Sequence, residues 1–275
     1  MTRKLLIFDL DDTLLTSEKI IAPSSIKAIE ACKSKGMVIG YITARARTMQ
    51  HDIDNGKVFF TDRYNLPKDF IAYYNGAVIY SNNVLIGKNV IPYKKAMQII
   101  RKLVNVYPDS KIGVYHEPWS FLKRGDSIEG ENWNLETGEK IKCSIFNLLV
   151  YDVQRIRIEF AGYDDKNKLN GILTNDTTYF INADGSAMII NKDATKENAL
   201  KIASEYFNIP NTDIISFGDD INDLNMLKIS GVGVAMGNAI DAIKNAADYI
   251  TETNDNEGIS IWINKYLLSP DSKFI

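Results

Sequence analysis

Four short stretches of this 275-residue chain combine acids, hydroxyls, amides and a lysine in patterns that could do chemistry. The first is Asp9-Leu10-Asp11-Asp12-Thr13, directly after an apolar run. A carboxylate at the end of a strand can attack phosphorus and form an aspartyl-phosphate. A second carboxylate two residues on points the same way if the backbone turns, and can protonate the leaving oxygen. Acid-rich turns also follow strands for purely local reasons, and Asp12 fits an Asx cap. The second stretch is Tyr41-Ile42-Thr43-Ala44-Arg45, where a hydroxyl and exposed amides at a helix start would suit phosphate. Thr43 equally fits a simple N-cap, and Arg45 either reaches the phosphate or solvates its helix. The third is Lys196 in Ala194-Thr195-Lys196-Glu197-Asn198, entering a helix, where a lone lysine is ordinarily a solvated surface residue. The fourth is Phe217-Gly218-Asp219-Asp220-Ile221-Asn222-Asp223. Its three acids and one amide make a hard-oxygen site suited to Mg²⁺, or an acidic loop capping a helix through Asn222.

Positioning such groups requires strands that end where they stand. Lys4–Phe8 reads as a strand buried on both faces of a parallel sheet. Ser24–Lys35 reads as a helix between Pro23 and Gly36, Met37–Ile42 as a strand and Ala44–Asp54 as a helix. The end of the chain repeats the rhythm: helix Lys196–Phe207, strand Asp213–Phe217, helix Asn222–Ile229, strand Val232–Ala235, and helices Ala239–Ala246 and Glu257–Leu267. This alternation predicts βαβ units and a doubly wound α/β sheet. Ligands bind such sheets beyond the carboxyl ends of the strands, where all four stretches fall. One shared site explains that coincidence better than four unrelated turns.

The middle of the chain is patterned differently. Ala77–Tyr80 and Val84–Gly87 flank Asn82-Asn83, a hairpin signal. A helix over Tyr93–Tyr107 is followed by alternating segments at Lys111–Tyr115, Arg155–Phe160, Thr178–Asn182 and Ala187–Ile190. An α+β insert with an antiparallel sheet is therefore expected over 84–189, with Gly125–Glu139 as a long loop or irregular hairpin.

Composition narrows the class. Hydrophobic residues make up 45% and charged residues 24%, as in ordinary soluble globular chains. A formal charge of −3 gives no general attraction to nucleic acid or an anionic membrane. No stretch approaches the roughly 18 apolar residues of a membrane span, and the first apolar run meets Asp9, Asp11 and Asp12 too soon for an export signal. Cys32 and Cys143 match no zinc spacing and cannot build a disulfide framework, so a reducing, cytoplasmic setting is expected. His51 and His116 are the only histidines, which gives a histidine-centred mechanism little support.

Taken together, Asp9–Thr13, Thr43, Asn75-Gly76-Ala77, Lys196, Gly218–Asp223 and Gly231–Gly237 resemble the haloacid dehalogenase-like phosphatases, in particular the Cof-type subfamily with a large α/β cap. The resemblance spans nearly the whole chain. It implies a Rossmann-like core over 1–83 and 190–275 and a cap over 84–189. It implies that Asp9 is the nucleophile and a Mg²⁺ ligand, and that Asp11 is the general acid/base and lends its main-chain carbonyl to the metal. Asp219 would be the third protein ligand, supported from behind by Asp223. Thr43, the amides of Leu10 and Ala44, Lys196 and Asn222 would hold the phosphate. Family members often have glycine where Ala44 and Glu197 stand, and Glu197 puts a negative charge beside Lys196.

The implied reaction is hydrolysis of a small phosphorylated metabolite, a sugar phosphate first, with pyridoxal phosphate or flavin mononucleotide next. A sugar phosphomutase and a phosphometabolite-binding regulator with residual hydrolysis are the rivals. Free phosphate release separates the first rival, and binding without turnover the second. Trp119, Phe121, Lys123, Arg124 and Trp133 in the insert are candidates to contact the leaving group, though packing suits the aromatics better.

Overall fold

The computed structural model describes residues 3–47, 64–117, 119–123, 128–134, 139–147, 151–161, 166–182 and 184–272. Their strands are β1 (Leu5–Phe8), β2 (Val38–Ile42), β3 (Phe70–Tyr73), β4 (Val78–Ser81), β5 (Val84–Lys88), β6 (Lys111–His116), β7 (Trp119–Lys123), β8 (Glu129–Asn134), β9 (Lys140–Ser144), β10 (Arg155–Glu159), β11 (Thr177–Ile181), β12 (Ala187–Asn191), β13 (Ile214–Gly218), β14 (Val232–Ala235) and β15 (Tyr249–Ile250). The helices are α1 (Pro23–Ser34), α2 (Tyr93–Val106), α3 (Lys196–Phe207), α4 (Leu224–Ile229), α5 (Asp241–Lys244) and α6 (Gly258–Ile263).

The chain divides into two compact units. The first holds residues up to Arg45, β3 to β5 as far as Lys88, and everything from Thr195 onward. Its eight-stranded sheet runs β15-β14-β13-β1-β2-β3-β4-β5. The strands from β15 to β3 are parallel, and β4 and β5 close the edge antiparallel. Every residue of β1, β2 and β13 is buried, as expected of central strands covered on both faces. Leu5, Ile7, Val38 and Ile42 pack with Ala199, Leu200 and Ala203 of α3 in one apolar cluster.

The second unit runs from Asn89 to Ala194 and includes Ala46 and Arg47. It is built on an antiparallel seven-stranded sheet, β11-β12-β10-β6-β7-β8-β9. Its own core joins Ile99, Ile100 and Leu103 of α2 to Ile112, Val114, Phe121, Ile156 and Ile158. An α/β core with a separate antiparallel insert is thus the architecture.

Several sequence expectations move. The Asn82-Asn83 hairpin forms, with both residues at positive φ, but β5 pairs with β4 in the first unit's sheet. The transition therefore falls after Lys88 rather than at 84, and the return falls after Ala194 rather than at 190. The polar stretch read as a long loop or irregular hairpin contains β8, which pairs antiparallel with β7 and β9 and so follows the hairpin alternative rather than the loop. There the sheet ladder outweighs a composition poor in strand formers. Ala239–Ala246 shortens to α5. The helix expected over Ala44–Asp54 does not begin at Ala44: residues 44–47 are irregular, and the rest lies outside the described residues. The carbonyls that would start it are already engaged. Thr43 O accepts from Asn75 N at 2.8 Å, and Arg45 O from Tyr74 N at 3.0 Å.

Candidate active site

β1 lies between β13 and β2, so its end opens onto the middle of the sheet's carboxyl edge. Asp9 N donates to Phe217 O at 3.1 Å, which carries the β1–β13 ladder one rung further and sets Asp9 beside the Gly218–Asp223 loop. The backbone then coils over Leu10–Leu14, with Asp12 left-handed at φ 59. From the far end of the chain, α3 brings Lys196 as its first residue. Thr195 caps that helix, its Oγ1 accepting from Asn198 N at 3.2 Å. The loop after β3 packs against this cap through Gly76, at φ 105. A Cβ on Gly76 would meet Thr195 O at 2.9 Å, so only glycine fits.

These elements assemble a buried charge cluster. Lys196, 2% exposed, donates from Nζ to Asp9 Oδ1 at 2.6 Å and to Asp223 Oδ1 at 2.7 Å. Asp223 Oδ2 accepts from the amides of Asp219 and Asp220 at 3.1 and 3.2 Å, so both its oxygens are engaged. Asp220 in turn caps the turn Ile221–Asp223, accepting from Ile221 N at 2.7 Å, so the cap is Asp220 rather than Asn222. Gly218 makes this fold possible, because a Cβ there would lie 2.5 Å from Asp223 Cβ and Cγ. Asp219 Oδ1 accepts from Thr13 Oγ1 at 2.6 Å. Carboxylate oxygens of Asp9, Asp219 and Asp223 lie within 4.8 Å of one another.

Three acids and one lysine leave a surplus of negative charge. Burial pushes the Asp9 carboxyl well above its usual range; Lys196 pulls against it, and Asp223 and Asp219 add to it. Burial, against the Thr13 bond and with Asp223 adding, lifts Asp219 to about 6. Burial alone would lower Lys196, but Asp223 and Asp9 outweigh it and keep the ammonium protonated. Among the described residues, Asp9 accepts a hydrogen bond at Oδ1 only and Asp219 at Oδ1 only. The remaining oxygen of each is suited to a hard divalent cation, which would also relieve the repulsion.

Asp11 stands apart, half-exposed. Arg45 grips it with two hydrogen bonds, Nε to Oδ2 at 2.8 Å and Nη2 to Oδ1 at 2.7 Å. Burial would raise this carboxyl, but the Arg45 bonds and the charges of Arg45 and Lys19 hold it below its ordinary value. Thr43 is fully buried, and its Oγ1 accepts from Arg45 N at 3.0 Å. Leu10 is buried and Ala44 exposed in the same two loops. Asn222 is exposed and, among the described residues, makes no hydrogen bond to the cluster. Glu197 turns along α3 to pair with Lys201, away from Lys196.

Sequence reasoning missed three partners. Thr13 stands inside the first motif, but its link to Asp219 spans 206 positions. Lys19, which meets Asp12 at 2.9 Å and Asp11 at 3.4 Å, carries no signal. Asn238 Nδ2 donates to Asp12 O at 2.7 Å from the glycine-rich segment near the end. In the second unit, Phe121 is core, Trp119 is buried, and Lys123 Nζ donates to Pro108 O and Ser110 O. These contacts assign them to packing. Arg124, His51 and the side chain of Trp133 lie outside the described residues. His116 is buried against Asn132 and lowered by burial to about 4.

Comparison with known proteins gives the family and the fold. The family model of haloacid dehalogenase-like hydrolases matches residues 6–263. A 5-amino-6-(5-phospho-D-ribitylamino)uracil phosphatase of Bacillus subtilis, YcsE, is 28% identical over 267 residues, covering 96% of each chain. The pyridoxal phosphate phosphatase YbhA of Escherichia coli is 24% identical, covering 98% of this chain and all of that one, 100%. A solved phosphatase of the same superfamily from Bacteroides thetaiotaomicron superposes with a TM-score of 0.76 at 24% identity, over 96% of this chain and 95% of that one, and so shares the fold. No helix among the described residues is long and apolar enough to cross a membrane.

Proposed function

The chain belongs to the haloacid dehalogenase-like hydrolases, and from that premise we propose that Asp9 attacks the phosphoryl group of a phosphorylated polyol or sugar. The enzyme is a phosphoric monoester hydrolase acting on small phosphorylated metabolites. The mechanism and the substrate are our reading. The observation that carries it is Lys196, shared between Asp9 and Asp223 in a buried cluster with Asp219.

In the first half-reaction an Asp9 oxygen forms a bond to phosphorus as the ester oxygen departs, and Asp11 gives that oxygen its proton. In the second, Asp11 takes a proton from water, which attacks phosphorus, releases inorganic phosphate and restores Asp9. Lys196 balances charge on the transferring group, and Thr43 with the amides of Leu10 and Ala44 would cradle its oxygens, joined by Asn222 once phosphate is bound. Asp9, Asp219 and the main-chain carbonyl of Asp11 would hold Mg²⁺, with Asp223 fixing the loop behind Asp219. When bound, Mg²⁺ supplies positive charge that offsets repulsion between the acids and the phosphate.

A polyol phosphate is favoured because the ribityl phosphate named for the Bacillus subtilis relative and a sugar phosphate share a hydroxylated chain ending in a phosphate ester. Pyridoxal phosphate, the substrate named for the Escherichia coli relative, comes next. The two thiols, Cys32 and Cys143, suit the cytoplasmic setting in which such metabolites occur. Phosphate release should be measured with Mg²⁺ on sugar phosphates, ribityl phosphates, pyridoxal phosphate and flavin mononucleotide, beside Asp9→Asn. Turnover of a polyol phosphate that Asp9→Asn abolishes is expected. Wild-type rates in Asp9→Asn would move the nucleophile elsewhere, and transfer between sugar positions without free phosphate would make the enzyme a mutase.

A further inference from the structure

Lys19 is placed with more care than a surface lysine needs. The segment Leu15–Ile21 folds back on itself through a bridge between its ends, with Thr16 N donating to Ile20 O and Lys19 N to Thr16 O, both at 2.8 Å. Ser17 ties its tip to Asp255, from N to Oδ1 at 2.8 Å and from Oγ to Oδ2 at 2.7 Å. Lys19 is left-handed at φ 58, and so is Asp12 at φ 59. Left-handed backbone is unfavourable for non-glycine residues and persists where surrounding contacts enforce it. Asp12 is enforced by Asn238, and Lys19 by the clamped turn. The result is an ammonium held by Asp12 Oδ1 at 2.9 Å and standing 3.4 Å from Asp11 Oδ1. Its side chain is half-exposed, so solvent or a ligand can reach it.

We propose that Lys19 is a specificity-determining residue that reads an acceptor group carried one or two atoms from the leaving ester oxygen. The inference rests on the reading of Asp11 as the group that protonates that oxygen. A proton donor must come within about 2.6–3.2 Å of the oxygen it serves. The leaving oxygen therefore arrives beside the carboxylate that Lys19 faces. A carboxylate or hydroxyl on the adjoining carbons then falls within reach of the ammonium. An ammonium carries three donors, and Asp12 occupies one at close range. Because Asp12 and the clamped turn hold Lys19 in place beforehand, little ordering is lost when it meets the ligand. The substrate class favoured is a phosphate ester whose second carbon bears a hydroxyl or is itself a carboxylate, over a plain alkyl phosphate.

The test compares wild type, Lys19→Met and Lys19→Arg on ethyl phosphate, 2-hydroxyethyl phosphate and phosphoglycolate, which share a two-carbon frame. Folding is checked by thermal melting, and p-nitrophenyl phosphate serves as a common reference. Loss of one partly exposed charge-assisted contact should lower the kcat/KM ratio of phosphoglycolate to ethyl phosphate about five- to tenfold in Lys19→Met, chiefly through KM. Lys19→Arg should keep most of the ratio. An unchanged ratio in a folded Lys19→Met variant overturns the inference and leaves the phosphatase reading standing. Wild type that hydrolyses ethyl phosphate as efficiently as phosphoglycolate overturns the inference too, and again leaves the phosphatase reading standing.

Discussion

Arg45 holds Asp11 by both carboxylate oxygens, at 2.8 and 2.7 Å. This fork keeps the acid ionised in the resting protein, the form that activates water in the second half-reaction. The first half-reaction needs the acid form instead. For an alkoxide leaving group, acid assistance is decisive, whereas nitrophenolate departs readily without it. The kcat/KM ratio of a sugar phosphate to p-nitrophenyl phosphate should therefore rise as pH falls toward the lowered titration of Asp11. Asp11→Asn should abolish that rise and show a burst of nitrophenol followed by slow turnover. Rapid mixing reads both, and equal losses on both substrates without a burst would make Asp11 a structural residue.

Cation binding should compete with a proton at Asp219. Its carboxyl is raised to about 6, so it is protonated below that pH and ionised above it. Mg²⁺ requires the ionised form, and its apparent Kd should weaken by about tenfold per pH unit below 6 for one displaced proton. Calorimetric titrations at pH 5, 6 and 7 measure this. Affinity independent of pH over that range would exclude Asp219 as a ligand.

Lys196→Met removes the only lysine among three clustered acids. Breaking a buried ion pair by removing one partner costs about 3–5 kcal/mol, because the other charge is left buried and unpaired. Chemical denaturation should show a loss of that order, partly restored by Mg²⁺, which binds the same surplus charge. A variant as stable as wild type without metal would mean that Asp9 and Asp223 take up protons at no cost.

Gly218→Ala tests the loop rather than the chemistry. A new Cβ would fall 2.5 Å from Asp223 Cβ and Cγ, and must push that carboxylate out of line with Lys196. Overpacking of this kind costs about 1–3 kcal/mol. Turnover should fall with stability, and Mg²⁺ affinity should fall too, since Asp223 holds the Asp219 amide. Wild-type metal affinity in this variant would uncouple Asp223 from the site.

Much of the site is legible in the sequence because its residues sit at strand ends, and buried central strands read as unbroken apolar runs. Leu5–Phe8 stops at Asp9 without a polar interruption, and Ile214–Phe217 leads into Gly218–Asp223 just as directly. What stays hidden are partnerships across the chain. Arg45 is ambiguous by itself because its choice of Asp11 depends on how two loops meet, and the expected helix after Thr43 fails because the loop after β3 takes its carbonyls. Lys19 gives no signal because a left-handed residue in a short turn has no periodicity to detect. β8 is legible only as one of two alternatives, because its neighbours in the sheet, rather than its own residues, make it a strand.

The order of the first unit's sheet also bears on synthesis. β1 leaves the ribosome well before β13, one of its two flanking strands, which is made only after the whole insert. Lys196 reaches Asp9 across 187 positions. Until then a fully apolar strand has one open edge, the kind of surface on which nascent chains aggregate. The insert, with its own core, can fold while β1 waits. Catalytic competence therefore arrives late and all at once, when the last third of the chain docks.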